Sequence, residues 1–372
     1  MNIKSRLRGS IPAALLLTLA AAALLALNGT VRSMERLLPE ALVLRAPEGL
    51  SLSFRELRED LPPEGQTYSL AALRQSWAAN ARARYEGESV DLILTDEHYG
   101  EIAPLEMLYG NYFLRSDTPE ENRFIVISDK LAVRFFLTDN AVGNTLRVNG
   151  TDCRICGVYR AEEGLLAEAS SSGREAVYAP FDLDPEAVPQ LLYVRGGDAS
   201  IHQSIADGAA GAFGHGIGWE TISAYPEIQS MAWQLFRGVV FLWGIPVVLL
   251  VSACLFRQGK AAVLGLQAGR RSLRECLLCL PWLAGLAAVL LLICFPPEIP
   301  PQYLPADNIF DFPFYTRTIL QALQARNAAP ICDFYWNLSH IGLLACLAWG
   351  AVSLALFLLA FWELVRWLKA QA

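Results

Sequence analysis

Four apolar runs limit what this chain can become: Ile11–Leu27, Gly238–Phe256, Cys276–Phe295 and Ile341–Trp362. Each approaches or reaches the roughly 20 residues that an α-helix needs to cross the hydrocarbon core of a bilayer. The chain is 53% hydrophobic, and the clustering of that fraction into runs is what marks a membrane protein. Between the first two runs lies a polar block, 31–237, long enough to fold around a core of its own.

The segment Phe256–Cys276, FRQGKAAVLGLQAGRRSLREC, separates the second run from the third. It carries Arg257, Lys260, Arg270, Arg271 and Arg274 against one acid, Glu275. Short loops rich in Lys and Arg stay on the cytoplasmic side. That assignment orients the rest: both termini inside, the polar block outside. Lys4, Arg6, Arg8, Arg366 and Lys369 then also fall inside. The inside segments hold ten cations and two acids in a chain of formal net charge −7, so the outside is acidic. The apolar middle of the loop, Ala261–Ala268, reads as a small helix lying against the membrane or a partner.

The expected fold class is a membrane protein with four transmembrane α-helices and a large α+β extracytoplasmic domain inserted between the first and second. The division is 1–30 for the cytoplasmic N-terminus and first span, 31–237 for the outer domain with stalk helices and 238–256 for the second span. Then come 257–275 for the cytoplasmic loop, 276–295 for the third span, 296–337 for an outer loop and 338–372 for the fourth span and cytoplasmic C-terminus. A basic start followed by an apolar run is also the layout of a signal peptide. No small-x-small site follows at Asn28, Gly29 and Thr30, so an uncleaved anchor is the preferred reading. Val31, Met34, Leu37 and Leu38 prolong an apolar stripe at helical spacing, which carries the first helix past the bilayer towards Pro39. Ile228, Met231, Ala232, Leu235 and Phe236 do the same ahead of the second span. The two extensions either pair as a stalk or lie against the outer domain.

Within the outer block, Ser69–Tyr85 reads as a helix with Leu70, Leu73, Trp77 and Ala81 on one face. Val90–Thr95, Phe124–Ile127, Glu175–Pro180, Leu191–Arg195 and Ile217–Ile222 read as strands. Ser128 is placed to cap a helix holding Leu131, Ala132, Phe135 and Phe136. Asn149-Gly150 between two alternating segments is a strong hairpin signal. Ala199–Phe213 is expected to be helical and Gly208–Gly218 a loop. In the outer loop, a Pro-rich stretch precedes a short helix at Phe314–Arg326, with Tyr335 and Trp336 as interfacial anchors.

Little in the sequence points to chemistry. Gly259-Lys260 is followed by Ala261, so no phosphate-binding loop is present. Neither H-E-x-x-H nor G-x-S-x-G occurs. His98, His202, His215 and His340 lack ligand spacing. Cys153 and Cys156 form a C-x-x-C on an expected strand, where residues three apart face opposite ways; Cys332 is a lone outer thiol. Asp96, Glu97 and Glu101 read as a solvated acidic cluster. No catalytic residue, cofactor or metal is assigned, and no basic-aromatic patch suggests nucleic acid.

A set of short motifs carries a family resemblance. Tyr109-Gly110-Asn111-Tyr112-Phe113, Phe124-Ile125-Val126-Ile127-Ser128, Leu131-Ala132, Phe135-Phe136, Val142-Gly143-Asn144-Thr145-Leu146, Asn149-Gly150 and Cys156-Gly157-Val158 together resemble the MacB-like periplasmic core domain, with Ala176–Pro180 as its next strand. The residues carrying that motif are Gly110, Phe113, Ser128, Phe136, Gly143, Asn149, Gly150 and Gly157. The basic loop resembles the cytoplasmic segment of FtsX-like permeases at Gly265–Arg271, and the order of one span, outer domain and three spans is that of the family. Ala261 departs from the pattern by standing where the family has Glu, and the loop before the fourth span is longer.

The resemblance implies a non-enzymatic permease subunit of an ABC transporter in the cell membrane, working as a homodimer or with a related permease. A separate ATPase would dock at Arg257, Lys260, Leu264, Gly265, Leu266, Gly269, Arg270 and Arg271. Its motion would pass to the outer domain by mechanotransmission, for export or extraction of a lipid, peptide or drug in contact with membrane lipid. A regulator that activates an outer partner such as a cell-wall hydrolase, moving no cargo, is the alternative. A membrane-anchored enzyme is a third reading.

Overall fold

The computed structural model describes residues 3–46, 50, 52–59, 67–80, 87–113, 123–184, 186–195, 219–267, 285, 311, 313, 316–317 and 334–371. The chain divides into two compact units. One comprises Met1–Arg32, Ser230–Gln321 and Leu343–Ala372; the other comprises Ser33–Gln229 and Ala322–Gly342.

Helix α1 spans Ile3–Leu37. The elements that follow are β1 (Ala41–Arg45), α2 (Phe54–Glu59), β2 (Thr67–Ala79), β3 (Glu88–Thr95), α3 (Tyr99–Ile102), β4 (Met107–Gly110), β5 (Phe124–Ser128), α4 (Asp129–Phe136), β6 (Thr145–Val148) and β7 (Thr151–Tyr159). Next are α5 (Leu165–Ser170), β8 (Ala176–Pro180), β9 (Leu191–Arg195) and β10 (Glu220–Ala224). Two long helices complete the described chain, α6 (Tyr225–Gln267) and α7 (Phe334–Gln371).

The outer unit carries a 10-stranded sheet in the order β10-β1-β9-β2-β3-β8-β5-β7-β4. Strand β6 lies off that path and pairs with both β2 and β7. Neighbouring pairs therefore close a circuit: β2, β3, β8, β5, β7, β6 and back to β2. The pairs β3–β8 and β5–β7 are parallel. The other pairs in the circuit are antiparallel. Closure rests on two residue pairs, Ala78 opposite Val148 and Ala79 opposite Arg147. The apolar core sits against this circuit, with Leu92, Leu94, Ile125, Ile127, Val177 and Val148 fully or nearly buried. Burying such side chains is the main stabilising term for a domain of this size.

Two local signals form as the sequence predicts. Ser128 accepts a hydrogen bond from the Leu131 amide at 3.2 Å and starts α4. Asn149 and Gly150, at φ 49° and 83°, form the two-residue turn between β6 and β7. The primed turn needs positive φ at both positions, which Asn tolerates and Gly takes without strain.

One expected helix is a strand. The spacing of Leu70, Leu73 and Trp77 predicts a helix over Ser69–Tyr85, but 67–79 form β2, paired with β9, β3 and β6. An interior strand buries residues on both faces, so Ser69, Leu70, Ala71 and Ala72 are all buried in succession. Its apolar pattern loses the alternation that identifies a half-exposed strand. Trp77 is 53% exposed rather than in the core.

Three described helices contain stretches long and apolar enough to cross a membrane: Ile11–Leu37, Tyr225–Ala253 and Phe334–Trp367. The expected third span, Cys276–Phe295, lies outside the described residues apart from Gly285, as does the expected helix Ala199–Phe213. In the membrane unit, Ser353 Oγ donates to the Ala20 carbonyl at 3.1 Å, linking α7 to α1. Trp243 of α6 stacks on Phe357 of α7 with ring centroids 4.4 Å apart. A Cβ on Gly350 would lie 3.1 Å from Val239, tighter than an ordinary contact, so a small residue lets α7 approach α6 closely.

Candidate functional site

The motif residues of the outer domain build the sheet. Gly110 has φ +68°, and a Cβ there would run into the Cys156 carbonyl oxygen. Across the same strand pair, a Cβ on Gly157 would meet the Asn111 carbonyl oxygen at 2.5 Å. Both glycines thus permit the close approach of β4 and β7. Phe113 is buried and stacks on Tyr112 at 4.2 Å. Gly143, at φ +86°, donates its amide to the Ile155 carbonyl at 2.8 Å. Phe136 packs against the core. Ser128 Oγ also donates to Glu175 Oε2 at 2.9 Å, joining the cap of α4 to the residue before β8.

Asn149 has a larger part than a turn residue needs. Its Oδ1 accepts from the Trp77 amide at 3.1 Å, and its Nδ2 donates to Ser76 Oγ at 3.0 Å. The Asn149 amide donates to the Trp77 carbonyl at 3.0 Å. The hairpin tip is therefore fastened to β2 at the point where the strand circuit closes.

The second face of the sheet is lined by tyrosines. Tyr99 of α3 makes an edge contact with Tyr193 at 5.3 Å and lies 5.5 Å from Tyr178. Tyr159 meets Tyr178 edge-on at 5.5 Å. Beside this layer is Asp96, expected to be solvated and in fact half-buried. It accepts from Ser69 Oγ at 2.8 Å, the Leu70 amide at 3.0 Å and the His98 amide at 3.1 Å. Burial pushes its carboxyl up to about 6, partly offset by the bonds from Leu70 and Ser69. Three donors can hold a half-buried carboxylate in place, which charge clustering in the sequence does not reveal. The thiols of Cys153 and Cys156 are free, and burial pushes each up to about 11, which removes thiolate reactivity at neutral pH.

Helix ends gather in the same unit. Met34, Leu37 and Leu38 at the end of α1 are buried, as is Tyr225 at the start of α6. Gln229 Nε2 donates to the Leu38 carbonyl at 3.2 Å, which joins the ends of the two expected extensions within this unit. The sequence does not disclose a third member, the start of α7. Tyr225 and Tyr335 rings lie 6.4 Å apart, and Gly342 abuts Met34. Tyr335 and Trp336, expected as interfacial anchors, are 5% and 6% exposed. Their position just before an apolar run resembles an aromatic belt, and only tertiary packing distinguishes the two cases. His340 Nδ1 shares hydrogen bonds with the Trp336 carbonyl and Ser339 Oγ, a local helical contact.

A cleft with a cavity volume of about 180 Å³ opens on the tyrosine face between β3, α5 and the start of α7. Ile93, Tyr99, Tyr178 and Tyr335 line it, the three tyrosines almost fully buried.

The segment expected to dock an ATPase is divided. Arg257, Lys260, Leu264, Gly265 and Leu266 lie on α6, which runs without a break from Tyr225 to Gln267. Ala261–Gln267 therefore continues the second span's helix and does not form a separate small one, because no proline interrupts it between Phe256 and Gln267. Gly269, Arg270 and Arg271 lie outside the described residues, as does Gly208–Gly218.

Comparison with known proteins gives one family match. The MacB-like periplasmic core domain matches residues 12–210. No curated protein sequence matches the chain. Among solved structures, the extracellular domain of the noncanonic ABC-type transporter YknZ from Gram-positive bacteria is similar at 16% identity and TM-score 0.38, covering 49% of this chain and 99% of that one. The periplasmic region of MacB from Actinobacillus actinomycetemcomitans is similar at 12% identity and TM-score 0.41, covering 55% of this chain and 97% of that one. A domain of a putative permease protein from Porphyromonas gingivalis follows at 15% identity and TM-score 0.32, covering 45% and 79%.

Proposed function

The chain belongs to the family of the MacB-like periplasmic core domain, and so to the MacB/FtsX-like ABC permeases; from that premise we propose that it converts ATP hydrolysis by a separate cytoplasmic ATPase into movement of its outer unit. The full subunit has four spans, with both termini and the basic loop in the cytoplasm, and it works as a dimer. The observation that carries this reading is α6. This one helix of 43 residues begins directly after β10 and ends inside the basic segment. At 1.5 Å per residue it is about 65 Å long, roughly twice the hydrocarbon thickness. A continuous helix of that length links the sheet to the docking segment in covalent sequence, as a lever requires. Pro246 lies inside it, and a proline is where such a helix bends.

Cargo export or extraction is the primary reading. The packing of the membrane unit favours a second one, a regulator that moves nothing. Trp243 on Phe357, Gly350 against Val239 and Ser353 on Ala20 are apolar or small-residue contacts between helices among the described residues. Motion without a conduit is enough to activate an outer partner.

The test is co-purification from detergent. Wild type should bring down an ATPase, and Leu266→Asp should lose it while the outer unit stays folded by circular dichroism. Retention of the ATPase by Leu266→Asp would remove the docking site, and labelling of Lys260 from outside intact cells would reverse the topology.

A further inference from the structure

The cleft on the tyrosine face is lined by both apolar and charged side chains, and the charges do not cancel. On the cationic side, Arg174 pairs with Asp91 at 2.5 Å and Arg160 with Glu106 at 3.3 Å. Asp91 also accepts from Ser172. Glu175 accepts from Ser128 Oγ and lies 3.9 Å from Arg134. Among the described residues, this leaves two lining acids outside any ion pair, Glu162 and Glu168, and one such cation, Lys130.

Glu162 is half-buried, and that burial raises its carboxyl above the usual range, with Arg36 opposing the shift and Glu106 adding to it. A carboxylate in such a place gains by meeting a cation that is itself poorly hydrated. The aromatic lining supplies the rest of the complement. Tyrosine ring faces attract ammonium groups and bury the carbon around them. The Tyr159 hydroxyl is turned away to the Ala176 carbonyl at 3.1 Å. Size then limits the occupant. Drug-sized ligands occupy about 300–1,000 Å³, whereas this cavity measures about 180 Å³. It admits a single ring or a lipid headgroup, and excludes a large cargo.

We propose that this cleft binds a small organic cation, a protonated or quaternary amine on a compact apolar body, with Glu162 as its counter-ion and Tyr178 and Tyr335 among its aromatic lining. A free amine and the headgroup of a choline lipid share that chemistry. The site belongs wholly to the outer unit and needs no ATPase. Failure here leaves the coupling reading untouched, and loss of the ATPase in the co-purification leaves this site untouched.

Full-length protein in dodecyl maltoside is titrated with benzyltrimethylammonium and, separately, with phenylmethanesulfonate, using calorimetry with empty micelles as the blank. The cation binds saturably and the sulfonate does not. Glu162→Gln weakens the cation about tenfold, the ratio expected for loss of one partly desolvated charge contact. Glu163→Gln, at the exposed neighbouring residue, binds as wild type does. Displacement of the bound cation by glycerophosphocholine assigns the site to a lipid headgroup, and persistence assigns it to a free amine. Equal binding of the sulfonate, wild-type affinity in Glu162→Gln, or no saturable binding at millimolar cation overturns the proposal.

Discussion

Gly342 of α7 lies directly against Met34 of α1: a Cβ on Gly342 would sit 2.5 Å from the Met34 sulfur and 2.8 Å from its Cγ. Met34 is fully buried at this point. Glycine at a helix contact allows backbones to approach to a distance that larger residues forbid. The pair ties the end of the first apolar helix to the beginning of the last within the outer unit.

Substituting Gly342 by Leu should therefore overfill this contact and lower stability by about 1–3 kcal/mol. Ala should cost less, because an unbranched methionine can withdraw. Met34→Ala should recover part of the loss when combined with Gly342→Leu, since residues in contact do not act additively. Thermal unfolding of Gly342→Leu, Met34→Ala and the double variant in detergent measures the coupling. Simple additivity would show that the two residues do not meet.

Two glycines with similar backbone angles should respond very differently to alanine. Gly150 has φ +83°, and a Cβ there would find nothing within 4 Å. Gly150→Ala should then cost only the left-handed backbone penalty, about 1–2 kcal/mol. Gly110 has φ +68° and faces the Cys156 backbone, which cannot withdraw. Gly110→Ala should cost about 4 kcal/mol or more, the range of strain that displaces main chain. Chemical denaturation of both variants provides the ranking, and an inverted order would contradict the β4–β7 approach.

Asp96 should make the outer unit more stable in mild acid. Its folded carboxyl titrates at about 6, against 3.8 for the free group, with burial as the leading cause. Between those values the folded state holds a proton that the unfolded chain releases. Stability from this group is thus full below the lower value and is lost as pH rises through about 6. From pH 5 to pH 7.5 wild type should lose about 1–2 kcal/mol more than Asp96→Asn does. Unfolding midpoints of both proteins at the two pH values check it, and parallel pH dependence would place Asp96 in solvent.

Membrane character was legible because it depends on local composition. An apolar stretch such as Ile341–Trp362 cannot be solvated, whatever surrounds it. The Ser128 cap and the Asn149-Gly150 turn were equally legible, since each is decided by residues within four positions. Tertiary structure decided the rest. Leu70, Leu73 and Trp77 fit helical spacing, yet strand neighbours on both sides claim the backbone of 67–79. Asp96 looks solvated until donors from β2, distant in sequence, enclose it. The pairing of Gly342 with Met34, and the cleft beside Glu162, join segments that no sequence window contains. Local chemistry determines which segments can form; which of them meet depends on burial shared by residues hundreds of positions apart.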